Sequence, residues 1–328
     1  MMYSNILKKE EKFMKKITIV GSGSVGSTIS YTLMLMGLAN EICMIDINSK
    51  KAYGEALDIQ QGTPFVTPCR VYSGDFCDAL NSDIVIITSG AARKPGMSRL
   101  DLAQVNINIL NSITPEITKY APDATYIIVS NPVDILTYVF CKNSGIPEER
   151  IIGSGTILDT ARLRAKLSKI FGINERNVHA YVMGEHGDSS FVPWSLANIS
   201  NVPIAECSTS IIRNDGKSYP EIDYEIIEKY VRNSGARVIL DKGATFYAVS
   251  ASVCHICRSL LGGIDTPLTV STMLHGEYGI DDVCLSLLNV VGREGATSKL
   301  LLPLTNQEIY ALRKSAECLK DTLRKIEY

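Results

Sequence analysis

Residues 177–195 read NVHAYVMGEHGDSSFVPWS and hold two of the four histidines in the chain. His186 lies in a Gly-Glu-His-Gly-Asp run, with Glu185 before it and Asp188 two places after it. Glycine has no Cβ, so backbone of this kind can turn tightly and come close to a ligand. It is a poor place to bury a packing residue. Imidazole ionises near neutral pH, which makes His186 the candidate to take and return a proton. A loop histidine bonded only to backbone would fit the same stretch, so the choice depends on what the rest of the chain provides.

A second set of residues could hold a phosphate. An apolar, β-branched run over 17–20 leads into Gly21-Ser22-Gly23-Ser24-Val25-Gly26, and an apolar helical stretch follows as far as Gly37. A further strand over 41–45 ends at Asp46, twenty residues after Gly26. A lone G-x-G-x-x-G is a weak signal, but strand before, helix after and acid at that distance form the context of a dinucleotide fingerprint. Gly21, Gly23, Val25 and Gly26 would let the pyrophosphate approach a helix N-terminus. Asp46 would bind a ribose diol and repel a 2′-phosphate, which favours NAD over NADP.

Charged residues that could meet a small anion come next. The loop SGAARKPGMSRLD over 89–101 carries Arg93, Lys94 and Arg99 among glycines and a proline, as a cation-bearing lid would. A solvated surface loop has the same composition. After Gly153 the run GSGTILDTARLR places Asp159 and Arg162 three apart on one helical face, with Arg164 turned to roughly the opposite side. Asp159 could orient a histidine, as carboxylates do beside a histidine base. Arg162 could grip a carboxylate with its fork, and Arg99 could polarise a carbonyl.

The elements needed to position these groups follow in order. Apolar runs such as DIVIIT and YIIVS alternate with helical stretches over 49–61, 102–119 and 132–142, so a parallel sheet covered on both faces is expected. Ligands in such sheets gather at the carboxyl ends of strands, where the glycine loop, the lid and Ser130-Asn131-Pro132 all begin. The expected fold class is α/β, a Rossmann doubly wound sheet followed by an α+β catalytic domain. The division is a flexible arm over 1–15, a nucleotide domain over 16–152 and a substrate domain over 153–328. Helices are expected over 224–241 and 244–261, strands after 267, and a last helix after a Thr305 capping box.

Composition excludes several functions. The 328 residues are 45% hydrophobic and 21% charged with a net charge of −2, a globular balance without the basic excess that binds nucleic acid. Nine cysteines, mostly isolated in apolar runs, suit reduced thiols and a cytoplasmic setting. Cys254 and Cys257 form a C-x-x-C pair, but their surroundings read as a buried helix and structural cysteines are expected. The opening segment has no apolar signal-peptide core, and no later run is long enough to span a membrane. His179 and His186 have no partner at H-e-x-x-h-type spacing, so no metal is expected.

Taken together, GSGSVG, SNPVD, GSGTILDTARLR, GEHGDSSFVPWS and DKGATFYA make the chain resemble the lactate/malate dehydrogenase family, in its bacterial L-lactate dehydrogenase branch, from about Lys16 onward. The resemblance implies NAD at Gly21, Gly23, Gly26 and Asp46, with Asn131 near nicotinamide and substrate. It implies catalytic roles for His186, Asp159, Arg99 and Arg162, a pocket position for Thr245, and a cytoplasmic homotetramer or homodimer acting on a 2-keto or 2-hydroxy acid. Positions matching Arg164 and His179 bind fructose 1,6-bisphosphate in such enzymes, so that effector or another anion is expected there. The lid reads RKPGM, the malate form. Arg93 would pair with the distal carboxylate of oxaloacetate but would face only the methyl group of pyruvate. The substrate expected here is therefore malate/oxaloacetate; lactate/pyruvate, and a non-catalytic NAD-binding protein, are the alternatives.

Overall fold

The computed structural model describes residues 15–92 and 96–328. The expected arm thus lies outside the described residues except for Lys15, whose N–H donates to Asn40 Oδ1 at 3.0 Å. The first half comprises β1 (Lys16–Val20), α1 (Ser24–Leu35), β2 (Glu41–Ile45), α2 (Ser49–Gly62), β3 (Arg70–Ser73), β4 (Ile84–Ile87), α3 (Arg99–Tyr120), β5 (Thr125–Ile128), α4 (Val133–Asn143) and β6 (Ile151–Gly153). Its strands lie in the order β6-β5-β4-β1-β2-β3, all parallel. Both strand faces are apolar because both are covered. Val20, Ile45, Val85, Ile87 and Ile128 pack with α3 and α4, whereas Ile17, Ile19, Met44 and Ile86 pack with α1 and α2. The chain reverses direction of winding between β1 and β4, which opens the crevice where ligands bind in such sheets.

The second half comprises α5 (Ile157–Phe171), β7 (Val178–His179), β8 (Asn198–Ile199), β9 (Val202–Pro203), α6 (Cys207–Ser210), α7 (Tyr224–Lys242), α8 (Tyr247–Gly262), β10 (Thr266–His275), β11 (Asp281–Gly292), β12 (Gly295–Lys299) and α9 (Asn306–Leu323). Strands β10, β11 and β12 form an antiparallel meander that joins the first sheet through Ser271 opposite Gly153, giving nine strands in all. Strands β7, β8 and β9 form a separate small sheet. A third apolar cluster under α5 and α7 includes Leu163, Phe171, Val178 and Val231. Cys254 and Cys257 are buried on α8 in the core it shares with α1, as the apolar surroundings of the pair imply.

Two boundaries differ from the sequence reading in ways that matter to function. Helix α3 begins at Arg99 rather than near Leu102, because Ser98 and Asp101 form a reciprocal capping box. Arg99 is therefore the first residue of a helix and not part of a loop. Helix α8 begins at Tyr247, which leaves Thr245 half-buried in the turn after α7.

Candidate active site

The glycine loop is shaped by contacts that only glycine permits. Gly21 has φ +109°, and a Cβ there would meet Ser89 N at 2.7 Å. A Cβ on Gly26 would stand 1.8 Å from Gly21 O, so α1 can approach the β1 end only without a side chain. Around Gly23 nothing lies within 4 Å of such an atom, which leaves its backbone open to an incoming group at the N-terminus of α1. Asp46, at the end of β2, accepts from Ser22 N at 2.6 Å and Asn48 N at 2.9 Å, so its carboxylate is fixed at the rim of the loop. Val25 is half-buried on the first turn of α1. This open, donor-rich turn with an acid at its edge fits a nicotinamide dinucleotide.

The His186 loop is pinned from several sides. Gly184 exchanges backbone hydrogen bonds with Ser286 of β11 at 3.0 and 3.1 Å, and Met183 does so with Phe191 at 3.0 and 3.1 Å. Ser315 of α9 accepts from Glu185 N at 2.8 Å, and a Cβ on Gly184 would come within 2.7 Å of the same hydroxyl. Helix α5 is fastened to the segment entering the loop, with Thr156 Oγ1 donating to Val182 O at 2.6 Å. His186 Nδ1 then meets Asp159 Oδ2 at 2.6 Å, while Arg162 Nη1 donates to Asp159 Oδ1 at 2.9 Å. Histidine, aspartate and arginine thus form one connected group on the face of α5 that their spacing predicts.

Burial disfavours charge on both acid and base, but their pairing overrides it. Asp159 is 6% exposed, and His186 and Arg162 hold its carboxyl below the ordinary value against the opposing effect of burial. For His186, burial works against the imidazolium, but Asp159, helped by Asp134, pushes its pKa up to about 9. The side chain keeps 28% of its surface exposed, and with Nδ1 occupied by Asp159 the ring nitrogen left for proton exchange is Nε2. A protonated imidazole joined through Asp159 to an arginine can hand a proton to a carbonyl oxygen and take it back.

The other expected residues are placed less tightly. Asn131 is exposed at the β5–α4 turn, and its carbonyl accepts from Asn106 Nδ2 at 2.7 Å. Asn106 is 2% exposed and also accepts from Ala91 N at 2.7 Å, so it ties the base of the lid to the Asn131 turn. Nothing local in the sequence sets Asn106 apart from the other polar residues of α3. Arg99 is not with the histidine group: its guanidinium pairs with Asp188 Oδ2 at 2.6 Å in an exposed contact. Arg93 lies outside the described residues. Gly235 of α7 faces the guanidinium of Arg162, and a side chain there would touch Arg162 Nη2 at 3.5 Å. Arg164 turns away as its spacing predicts, donating to Ala180 O at 3.0 Å and stacking over Tyr181 at 5.0 Å, with His179 exposed on the adjoining strand. Among the described residues no cluster of His, Cys, Asp and Glu could hold a metal ion, and no helix is long and apolar enough to cross a membrane.

A six-strand doubly wound sheet with a glycine-lined crevice, beside an acid-paired histidine, has the form of a nicotinamide-dependent oxidoreductase. Residues 15–153 match the model of the lactate/malate dehydrogenase NAD-binding domain, and residues 156–328 match that of the lactate/malate dehydrogenase alpha/beta C-terminal domain. The chain belongs to the lactate/malate dehydrogenase family. It is 46% identical over 323 residues to the L-lactate dehydrogenase of Acetivibrio thermocellus, covering 96% of this chain and 98% of that one. Against the L-lactate dehydrogenase of Thermoanaerobacter sp. it is 47% identical over 314 residues, covering 96% and 100%. Among solved structures, a lactate dehydrogenase from a Medee basin deep-sea metagenome superposes with a TM-score of 0.90 at 35% identity, covering 96% of this chain and 99% of that one. The ligand-bound minor L-lactate dehydrogenase of Enterococcus mundtii gives 0.89 at 34% identity with the same coverage.

Proposed function

We propose that this chain is an L-lactate dehydrogenase, reducing pyruvate with NADH and oxidising L-lactate with NAD. The observation that carries the choice of substrate is the agreement in name of close, full-length relatives at 46–47% identity, all L-lactate dehydrogenases. The expectation of malate, which rested on Arg93 alone, is corrected accordingly. A single lid residue gives the side chain present but not the direction it takes when the lid closes, and an arginine turned to solvent leaves a methyl-sized substrate undisturbed.

Bound NAD supplies the hydride chemistry. Within the chain, Arg162 holds the substrate carboxylate with its two-pronged guanidinium. Protonated His186 donates from Nε2 to the carbonyl oxygen, and Asp159 steadies the ring as its charge changes. Arg99 leaves Asp188 and polarises the same carbonyl when the lid folds over. Gly21, Gly23, Val25 and Gly26 take the pyrophosphate, Asp46 the ribose, and Asn131 and Thr245 border the nicotinamide and substrate. The test is NADH oxidation with pyruvate and with oxaloacetate under identical conditions. A kcat/KM at least about tenfold higher for pyruvate, some 1.4 kcal/mol, supports lactate. Preference for oxaloacetate overturns it, and no turnover of either overturns the enzymatic reading.

The same reading includes a homo-oligomer and an anionic effector. Tyr31 and Leu35 on α1, Tyr53 and Leu57 on α2, and Ile226 and Tyr230 on α7 expose large apolar surface that a partner subunit would cover. Arg164 and His179 would take a phosphate group of fructose 1,6-bisphosphate, biasing β7 and the catalytic loop that follows it. Sedimentation should show a dimer or larger species, and fructose 1,6-bisphosphate should lower the pyruvate KM in wild type but not in Arg164→Gln. A monomer, or equal responses in both proteins, refutes this part.

A further inference from the structure

His186 has a second carboxylate behind it. Asp134 sits in the first turn of α4, 3% exposed, and its Oδ2 accepts from the His186 backbone N–H at 2.8 Å. Its other oxygen, Oδ1, is buried with no hydrogen bond of ordinary geometry among the described residues, and the hydroxyl of Ser271 on β10, equally without one, lies near enough to draw the carboxyl down. A buried carboxylate so sparsely bonded is costly, and such groups persist where they serve a purpose. Holding one backbone N–H does not require a charge, since an asparagine would accept the same bond. What only aspartate adds is a negative charge near the imidazole, which joins Asp159 in favouring the protonated ring.

We propose that Asp134 is a positioning residue for His186, fixing the backbone of the catalytic loop and balancing the charge of the protonated ring. The inference rests on the proposed role of His186 as proton donor. The charged groups around the ring are Asp159 and Arg162 from α5, Asp134 from α4 and Glu185 from the loop itself, whose carboxylate accepts from Ser189 Oγ. Cys284 of β11, also near Asp134, is kept as a neutral thiol by burial. With imidazolium and Arg162 set against Asp159 and Asp134, the inner group is formally neutral; without Asp134 it carries a net positive charge in a drying pocket. Burial raises the Asp134 carboxyl to about 6, in spite of Ser271 and the His186 N–H, which pull it down. Between about 6 and about 9 both charges are therefore present together.

Two measurements test this. In Asp134→Asn, which can still accept the His186 N–H, the alkaline limb of kcat/KM for keto-acid reduction should move to lower pH by on the order of one unit, with NADH affinity within about twofold of wild type. An unmoved limb overturns the proposal, and so does a fall in kcat at every pH without a shift, the signature of a merely structural residue. Should Asp134→Asn not fold, 15N-histidine NMR of the wild-type protein decides, with the His186 signal identified by its loss in His186→Asn. That signal should move twice, near pH 6 as Asp134 ionises and again near pH 9, and a single inflection overturns the proposal. A wild type that turns over no keto acid would instead refute the proposed function, whatever the titration shows.

Discussion

His186 retains its proton well above neutral pH because Asp159 lies 2.6 Å from Nδ1, and this fixes the direction of two pH effects. A histidine raised from 6.5 to about 9 contributes stability that is fully present below 6.5 and is lost as pH rises through 9. Asp159, held low, contributes stability above its ordinary 3.8 that is lost only in acid. With His186 in its proposed role as proton donor, keto-acid reduction should therefore persist until pH approaches 9. In Asp159→Asn the alkaline limb should fall by about one to two units, read from kcat/KM against pH; an unchanged limb would detach Asp159 from the proton donor. At this scale the sequence was informative where helical spacing decides, as for Asp159, Arg162 and the divergent Arg164. It was silent where partners are remote in the chain. Asp134 lies 52 positions from His186, and the pairing of Arg99 with Asp188 spans 89, separations that no local pattern reports.

The glycine loop and α1 show how an element prepares a site before any ligand arrives. Gly26 and Gly23 are alike in the sequence motif but not in what surrounds them. Gly26→Ala sets a methyl group 1.8 Å from Gly21 O, and the overpacked turn should lose about 1–3 kcal/mol along with NADH binding. Gly23→Ala adds a methyl group to open space, so its melting temperature should stay near wild type while NADH affinity falls. Thermal melts and NADH fluorescence titrations of the two variants distinguish these effects; equal loss of stability in both would show that the loop is not shaped as described. Strands and helices of the first half were legible because their apolar periodicity is strong. The start of α3 was missed because a Ser-x-x-Asp cap was read as part of a polar loop, which put Arg99 on the lid rather than at a helix end.

At the scale of the whole molecule, one sheet joins what the sequence divides into a nucleotide domain and a substrate domain. The meander of β10, β11 and β12 continues the parallel sheet across Gly153 and Ser271, so the His186 loop, held by Ser286 of β11, is anchored to the same sheet as the glycine loop after β1. The sequence showed strands after 267 but not their neighbours, since pairing across more than a hundred residues depends on packing rather than pattern. Because the glycine loop is held by its own strand and helix, removing the proposed proton donor should leave the cofactor site standing. The most direct measurement is steady-state NADH oxidation by pyruvate in His186→Ala beside wild type, with NADH binding followed by fluorescence in the same preparations. Turnover should fall by about 10²–10⁴-fold with NADH affinity within a few-fold of wild type, whereas near-normal turnover would contradict the assignment of His186 as the acid and base of the reaction.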